Sequence, residues 1–194
     1  MAILNSATRE LQVKIVYYGP AMCGKTTNLA QVHQHVQTAD GTKSRLVSLA
    51  TNSDRTLFFD FFPIEGTSIK GFKTKFQLYT VPGQVIYNST RQLVLRGVDG
   101  IVFVADSQYE KSQENVQSFQ ELEQNLAQLN LQLGNIPYIL QYNKQDLPNA
   151  ASADYMDYLL NDREVQVPAF PAIAHQCEGV FESLNMITRL VVTK

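Results

Sequence analysis

Eight residues near the start of the chain have the types and spacing to hold a polyphosphate. Gly19-Pro20-Ala21-Met22-Cys23-Gly24-Lys25-Thr26 follows G-x-x-x-x-G-K-[ST], the pattern in which a strand runs into a glycine-rich loop and then a helix. Backbone N–H groups from Ala21 to Thr27 would wrap a β-phosphate, and the helix N-terminus would add its positive end. Lys25 would reach the β- and γ-oxygens, and the Thr26 hydroxyl would bind Mg²⁺. A chance Gly-Lys-Thr turn is the bland alternative. It needs neither the strand before nor the helix after, and both are expected here.

Further along, Asn143-Lys144-Gln145-Asp146 follows the apolar run Ile136–Tyr142. The Asp146 carboxylate can accept from both the ring N–H and the exocyclic amine of guanine. Adenine lacks that ring N–H and would leave the carboxylate under-paired, so such a site discriminates strongly. Asn143 would bridge this loop to the phosphate loop or to the base, and the Lys144 stem would lie over the base plane. Thr80-Val81-Pro82-Gly83-Gln84 ends a long extended segment. Here Gly83 can place its N–H on a γ-phosphate and Gln84 can orient the attacking water; the alternative is a plain Pro-Gly turn. Upstream, Thr56 is the candidate second hydroxyl on Mg²⁺. Its neighbour Arg55 could supply a cation to the transition state, a device worth about 10³–10⁵ in rate; a surface arginine is the alternative.

These loops need a scaffold that brings them to one edge. Val13–Tyr18 is a β-branched and aromatic run, followed by a helix expected from Lys25 to about Val36. Arg45–Ala50, Leu57–Ile64 and Gly71–Val81 look extended, and Gly100–Asp106 is a continuous apolar run suited to a strand buried on both faces. Ser112–Leu133 reads as one helix, with an apolar stripe through Val116, Phe119, Leu122, Leu126, Leu129 and Leu133. Ile136–Tyr142, a short helix near Ala153–Leu160, Ala169–Ala174 and a helix from Gly179 to Val192 complete the series. Strands alternating with helices imply an α/β fold: a mostly parallel sheet with helices on both faces. Such sheets bind ligands at the carboxyl ends of their strands. The loops after Tyr18, Leu78, Ala105, Tyr142 and Ala174 are the ones to inspect.

Composition narrows the function by exclusion. The chain has 194 residues, enough for one domain that buries roughly 70% of its unfolded surface. Sixteen Lys and Arg against eighteen Asp and Glu give a net charge of −2, which offers no general attraction to nucleic acid or anionic lipid. Charged residues make up 18% of the chain, below the usual ~25%, and the 18 glutamines fill part of that gap. An anion site must therefore be built locally. Cys23 and Cys177 follow no metal or redox spacing, as suits a reducing compartment. No apolar run approaches the ~18–20 residues of a membrane span, and neither a signal peptide nor a lipidation box is evident. The expectation is a cytoplasmic protein without an integral membrane segment or lipid anchor.

Taken together, these motifs resemble a Ras-superfamily small GTPase. Tyr17-Tyr18-Gly19-Pro20, Leu57-Phe58-Phe59-Asp60-Phe61, Tyr79-Thr80-Val81-Pro82-Gly83-Gln84 and Arg96–Ser107 are similar to the bacterial MglA-type polarity and gliding-motility GTPases. The resemblance runs from about Val13 to Val192 and implies one P-loop G domain over residues 1–194. It implies a GTP/GDP switch with Mg²⁺, slow by itself and stimulated by an activator, that controls polarity or motility through partner proteins. The implied activator is a roadblock-fold (MglB-type) homodimer that reorganises Gln84 and Arg55. A chain monomeric by itself and recruited to a cell pole is also implied.

Three departures from the common Ras-like pattern stand out. Thr80 stands where most members carry an aspartate, although MglA-type proteins share the change. Ala21 replaces a usual glycine, and its methyl could slow hydrolysis. Ile173-Ala174-His175 replaces Ser-Ala-Lys, but the Ala174 N–H could still meet the guanine oxygen. Two alternatives use the same residues: a nucleotide-bound scaffold that scarcely hydrolyses, and a P-loop kinase using ATP. Among weaker signals, the aromatic run Leu57–Phe62 is either a strand burying alternate residues or a partner-binding patch. His33, His35 and His175 form no evident site. Cys23 is either a thiolate favoured by the loop amides or a filler of the loop.

Overall fold

A computed structural model describes residues 3–5, 9–35, 47–50, 56–65, 71–83 and 88–194. The strands are β1 (Ile3–Asn5), β2 (Glu10–Tyr18), β3 (Val47–Ala50), β4 (Thr56–Glu65), β5 (Lys73–Thr80), β6 (Gly100–Asp106), β7 (Tyr138–Asn143) and β8 (Ala169–Ala172). The helices are α1 (Lys25–His35), α2 (Asn88–Leu95), α3 (Ser112–Gln128), α4 (Ala153–Leu160) and α5 (Val180–Thr193). The strands form one sheet in the order β3-β4-β5-β2-β6-β7-β8, with β1 pairing antiparallel to β2. The five strands β5-β2-β6-β7-β8 run parallel, and β4 extends them antiparallel to β5. This is the α/β architecture expected from the sequence.

Alternation along the strands divides the core between two faces. Val16, Tyr18, Ile101, Phe103, Leu140 and Tyr142 face α2, α3 and α4, meeting Leu95, Phe119, Leu122 and Met156. Val13, Ile15, Tyr17, Val102, Val104 and Ile139 face α1 and α5, meeting Leu29, Val32, Val180, Leu184 and Ile187. Every residue of β6 is buried, as the unbroken apolar run of a central parallel strand requires. Burial of each such Leu, Ile or Val side chain contributes ~1.5–3 kcal/mol. β2 lies between β5 and β6, so the chain leaves it first toward one edge and later toward the other. That reversal opens a crevice at the carboxyl ends of β2 and β6, where the phosphate loop begins.

Besides β1, which the sequence reading does not include, two elements differ from it. α3 ends at Gln128, five residues before Leu133. Asn130 takes a left-handed conformation (φ 59°), while Asn130 N–H donates to Ala127 O at 3.0 Å and Leu131 N–H to Leu126 O at 2.9 Å. Those two bonds make a Schellman stop. Leu129 and Leu133 still pack against the core, so the apolar stripe outlasts the helix. The glutamines at 113, 117, 120, 124, 128 and 132 are all exposed, as expected of a solvated face. The second difference is α2, which apolar periodicity misses because its inward residues are Arg91, Val94 and Leu95, one of them a cation.

Candidate active site

The phosphate loop closes the carboxyl end of β2 with three residues at positive φ: Gly19 (145°), Met22 (62°) and Gly24 (105°). α1 starts directly after it, at Lys25, and the Asn28 N–H donates to Gly24 O at 3.0 Å. The Lys25 ammonium is buried, donating to Gly19 O at 2.9 Å and Pro20 O at 2.6 Å, with Cys23 Sγ at 3.6 Å. A cation is thus centred inside the loop. Burial raises the Cys23 thiol pKa, outweighing the lowering effect of Lys25. Cys23 is therefore a protonated filler of the loop.

At the end of β7, one side chain joins three segments. Asn143 Nδ2 donates to Cys23 O at 2.8 Å, and its Oδ1 accepts from Ala174 N–H at 2.8 Å. Gly24 makes this approach possible, since a Cβ there would lie 2.1 Å from Asn143 Nδ2. Of the two partners foreseen for Asn143, the structure provides the phosphate loop. The Ala174 N–H foreseen for the base is committed here to Asn143. Lys144 sits at φ 69° and pairs with the Asp106 carboxylate at 2.6 Å. Asp106 is buried and also accepts from Gln108 N–H at 3.1 Å. Asp146 lies 3.9 Å from His175 Nε2. Gly24, Thr27, Asn143, Lys144, Asp146 and Ala174 line one cleft of about 330 Å³, with Met22 exposed at its rim.

On the other side of the loop, Pro20, Ala21 and Gly83 line a second cleft of about 270 Å³. Gly83 abuts the phosphate loop so closely that a Cβ would fall 2.3 Å from Ala21 Cα. Thr80 is buried at the end of β5. Thr56 opens β4, its backbone opposite Ala50. The Thr56 side chain, Arg55 and Gln84 lie outside the described residues, and so do the side chains of Leu57–Phe62. His33 and His35 are on α1, apart from both clefts. The His35 ring stands edge-on to Phe181.

Three features escaped the sequence reading. Asp106 had a signal, being the last residue of a buried strand at a loop marked for inspection. Arg91 had none. The third is a buried amide cluster: Asn28 and Gln141 exchange hydrogen bonds of 2.8 and 3.0 Å, and Gln141 also donates to Ser183 Oγ at 3.0 Å. Asn28 Nδ2 reaches back to Gly24 O at 3.0 Å, so the cluster links the phosphate loop to β7 and α5.

A model of the ADP-ribosylation factor family matches residues 1–191. The chain belongs to the Ras superfamily of small GTPases. A relative, the mutual gliding-motility protein MglA of Myxococcus xanthus (strain DK1622), is 50% identical over 194 residues, covering 100% of this chain and 97% of the relative. As a small GTPase, the protein binds guanine nucleotide and hydrolyses GTP. This membership sets aside the ATP-kinase alternative. Among the described residues, no helix is long and apolar enough to cross a membrane.

Proposed function

We propose that this GTPase is a switch for bacterial cell polarity or motility, read by partner proteins in a nucleotide-dependent way. The observation that carries the reading is the Asn143 joint, which holds the phosphate loop and the two loops after β7 and β8 as one unit. A nucleotide gripped by that unit has its base beside Asp146, Lys144 and Ala174. Its β-phosphate lies on the amides of Ala21–Thr27, and its γ-phosphate points toward Gly83. Hydrolysis removes the group that Gly83 and Thr56 would hold and so releases the segments around them.

Thr26, in the first turn of α1 beside Lys25, and Thr56 would hold Mg²⁺ together with the nucleotide's phosphates. Thr26 stands in the first turn of α1, directly after the phosphate loop, and a single hydroxyl there suits Mg²⁺, which keeps several waters and relies on substrate phosphates more than on a protein cage. The ion would neutralise charge on the phosphate oxygens. Within the chain, Lys25 clamps the β- and γ-oxygens, Gln84 orients water and Arg55 offsets transition-state charge. The proposed activator is a roadblock-fold homodimer, and downstream polarity or motility effectors read the GTP form. The proposed setting is the cytoplasm, with recruitment to a pole and a monomeric resting state. Residues 1–194 act as one G domain.

Single-turnover GTP hydrolysis, with and without a roadblock dimer, tests this. Acceleration by the dimer is expected. Gln84→Leu should slow hydrolysis at least about tenfold while GTP binding stays within about threefold, the split expected for an interaction made only in the transition state. A parental rate in Gln84→Leu removes that residue from its role, and no acceleration removes the activator.

A further inference from the structure

Arg91 is among the largest fully buried side chains, 1% exposed, on a helix of eight residues. A buried guanidinium is costly unless its N–H groups find acceptors and its charge a partner. Here Nε donates to Pro82 O at 2.9 Å and Nη2 to Gly83 O at 2.7 Å. Nη1 forms a salt bridge with Glu121 on α3 and approaches the Tyr18 hydroxyl at 3.5 Å. Tyr18 is held in turn by Asn125 Nδ2 at 3.0 Å, and Glu121 by Gln117 Nε2 at 3.1 Å. The cation is fixed from α3 and β2, and two of its donor nitrogens are spent on the backbone of Pro82 and Gly83. Those residues lie between the end of β5 and the start of α2, and among the described residues no ladder or helix takes up their carbonyls.

We propose that Arg91 is a positioning residue through which the protein tells GTP from GDP. The Pro82 carbonyl and the Gly83 N–H are opposite ends of one planar peptide. Anchoring the oxygen to the guanidinium therefore aims that N–H away from α2. The second bond fixes the next peptide plane, which leads into Gln84. Gly83 is at the same time pressed against Ala21 of the phosphate loop, with no room between them for even a methyl group. The donor is thus held at the loop in one orientation, and Glu121 and Tyr18 keep the arginine from turning. The proposal rests on Gly83 being the γ-phosphate donor, and its test separates the two.

Lysine keeps the charge but cannot reproduce the planar fork that reaches both carbonyls and Glu121. In Arg91→Lys, affinity for a β,γ-imido GTP analogue should fall about tenfold (~1.4 kcal/mol) while GDP affinity stays within about twofold. Single-turnover hydrolysis should fall by a similar factor. Glu121→Gln retains the arginine and its shape. It should shift the same affinity ratio about threefold, consistent with weakening one charge-assisted bond, and it decides the matter if Arg91→Lys does not fold. Gly83→Ala is the reference. If it weakens both nucleotides equally, the Gly83 reading fails. If it weakens the GTP analogue selectively while Arg91→Lys and Glu121→Gln keep the parental ratio, the Arg91 proposal alone is overturned. Equal loss of both nucleotides in Arg91→Lys also overturns it, leaving Arg91 as packing.

Discussion

The two ends of the nucleotide cleft are held by different chemistry. At the end assigned to the base, Asn143, Asn28, Gln141 and Ser183 pair with one another or with backbone, deep between β7, α1 and α5. At the end assigned to the γ-phosphate, a charged side chain from a short helix grips two carbonyls outside any regular element. The first arrangement has many partners for each group, so moving one atom disturbs several buried bonds. The second concentrates its hold in a single guanidinium. On the proposed function this asymmetry suits a switch: the part that would read the base is held by many neutral bonds, and the part that would read the γ-phosphate hangs on one side chain.

The comparison breaks most severely at Asn143. Asn143→Ala leaves Cys23 O and Ala174 N–H buried without their partner, at a cost of ~1–3 kcal/mol each. Guanine-nucleotide affinity should fall by at least about 100-fold, with a lower Tm, as read by fluorescent-GDP titration and thermal melts. If affinity is nearly parental, the base end is not a unit. Asp106→Asn is milder, because it keeps the shape but removes the countercharge to Lys144. It should weaken GDP and GTP alike by about tenfold, the scale of one charge-assisted bond. A selective loss of GTP would place Asp106 with the γ-phosphate end instead. The smallest effect is chemical. Both thiol pKa values are raised by burial, but Cys23 is wholly buried while Cys177 is partly exposed. Alkylation between pH 7 and 8 should therefore mark Cys177 first, as read by peptide mass spectrometry. Equal labelling would show that the phosphate loop opens readily.

The sequence made the base end partly legible and the rest only in outline. Gly19–Thr26 and Asn143–Asp146 carry spacing that few other folds need, and β6 announced itself by an unbroken apolar run. Arg91 and Gln141 were illegible for one reason: each is a polar residue turned inward, and periodicity assigns polar residues to the surface. The same blindness concealed α2, whose inward face includes that arginine. α3 was overextended because Leu129 and Leu133 keep the helical spacing after Asn130 has ended the helix.

The cluster of Asn28, Gln141 and Ser183 is made wholly of neutral amides and a hydroxyl. None of these groups gains or loses a proton in the range where cells live, and none carries a charge that salt could screen. The join between the phosphate loop and the far side of the sheet is therefore deaf to acidity and ionic strength. Any response of the switch to the medium then falls to its charged contacts, Arg91 with Glu121 and Lys144 with Asp106.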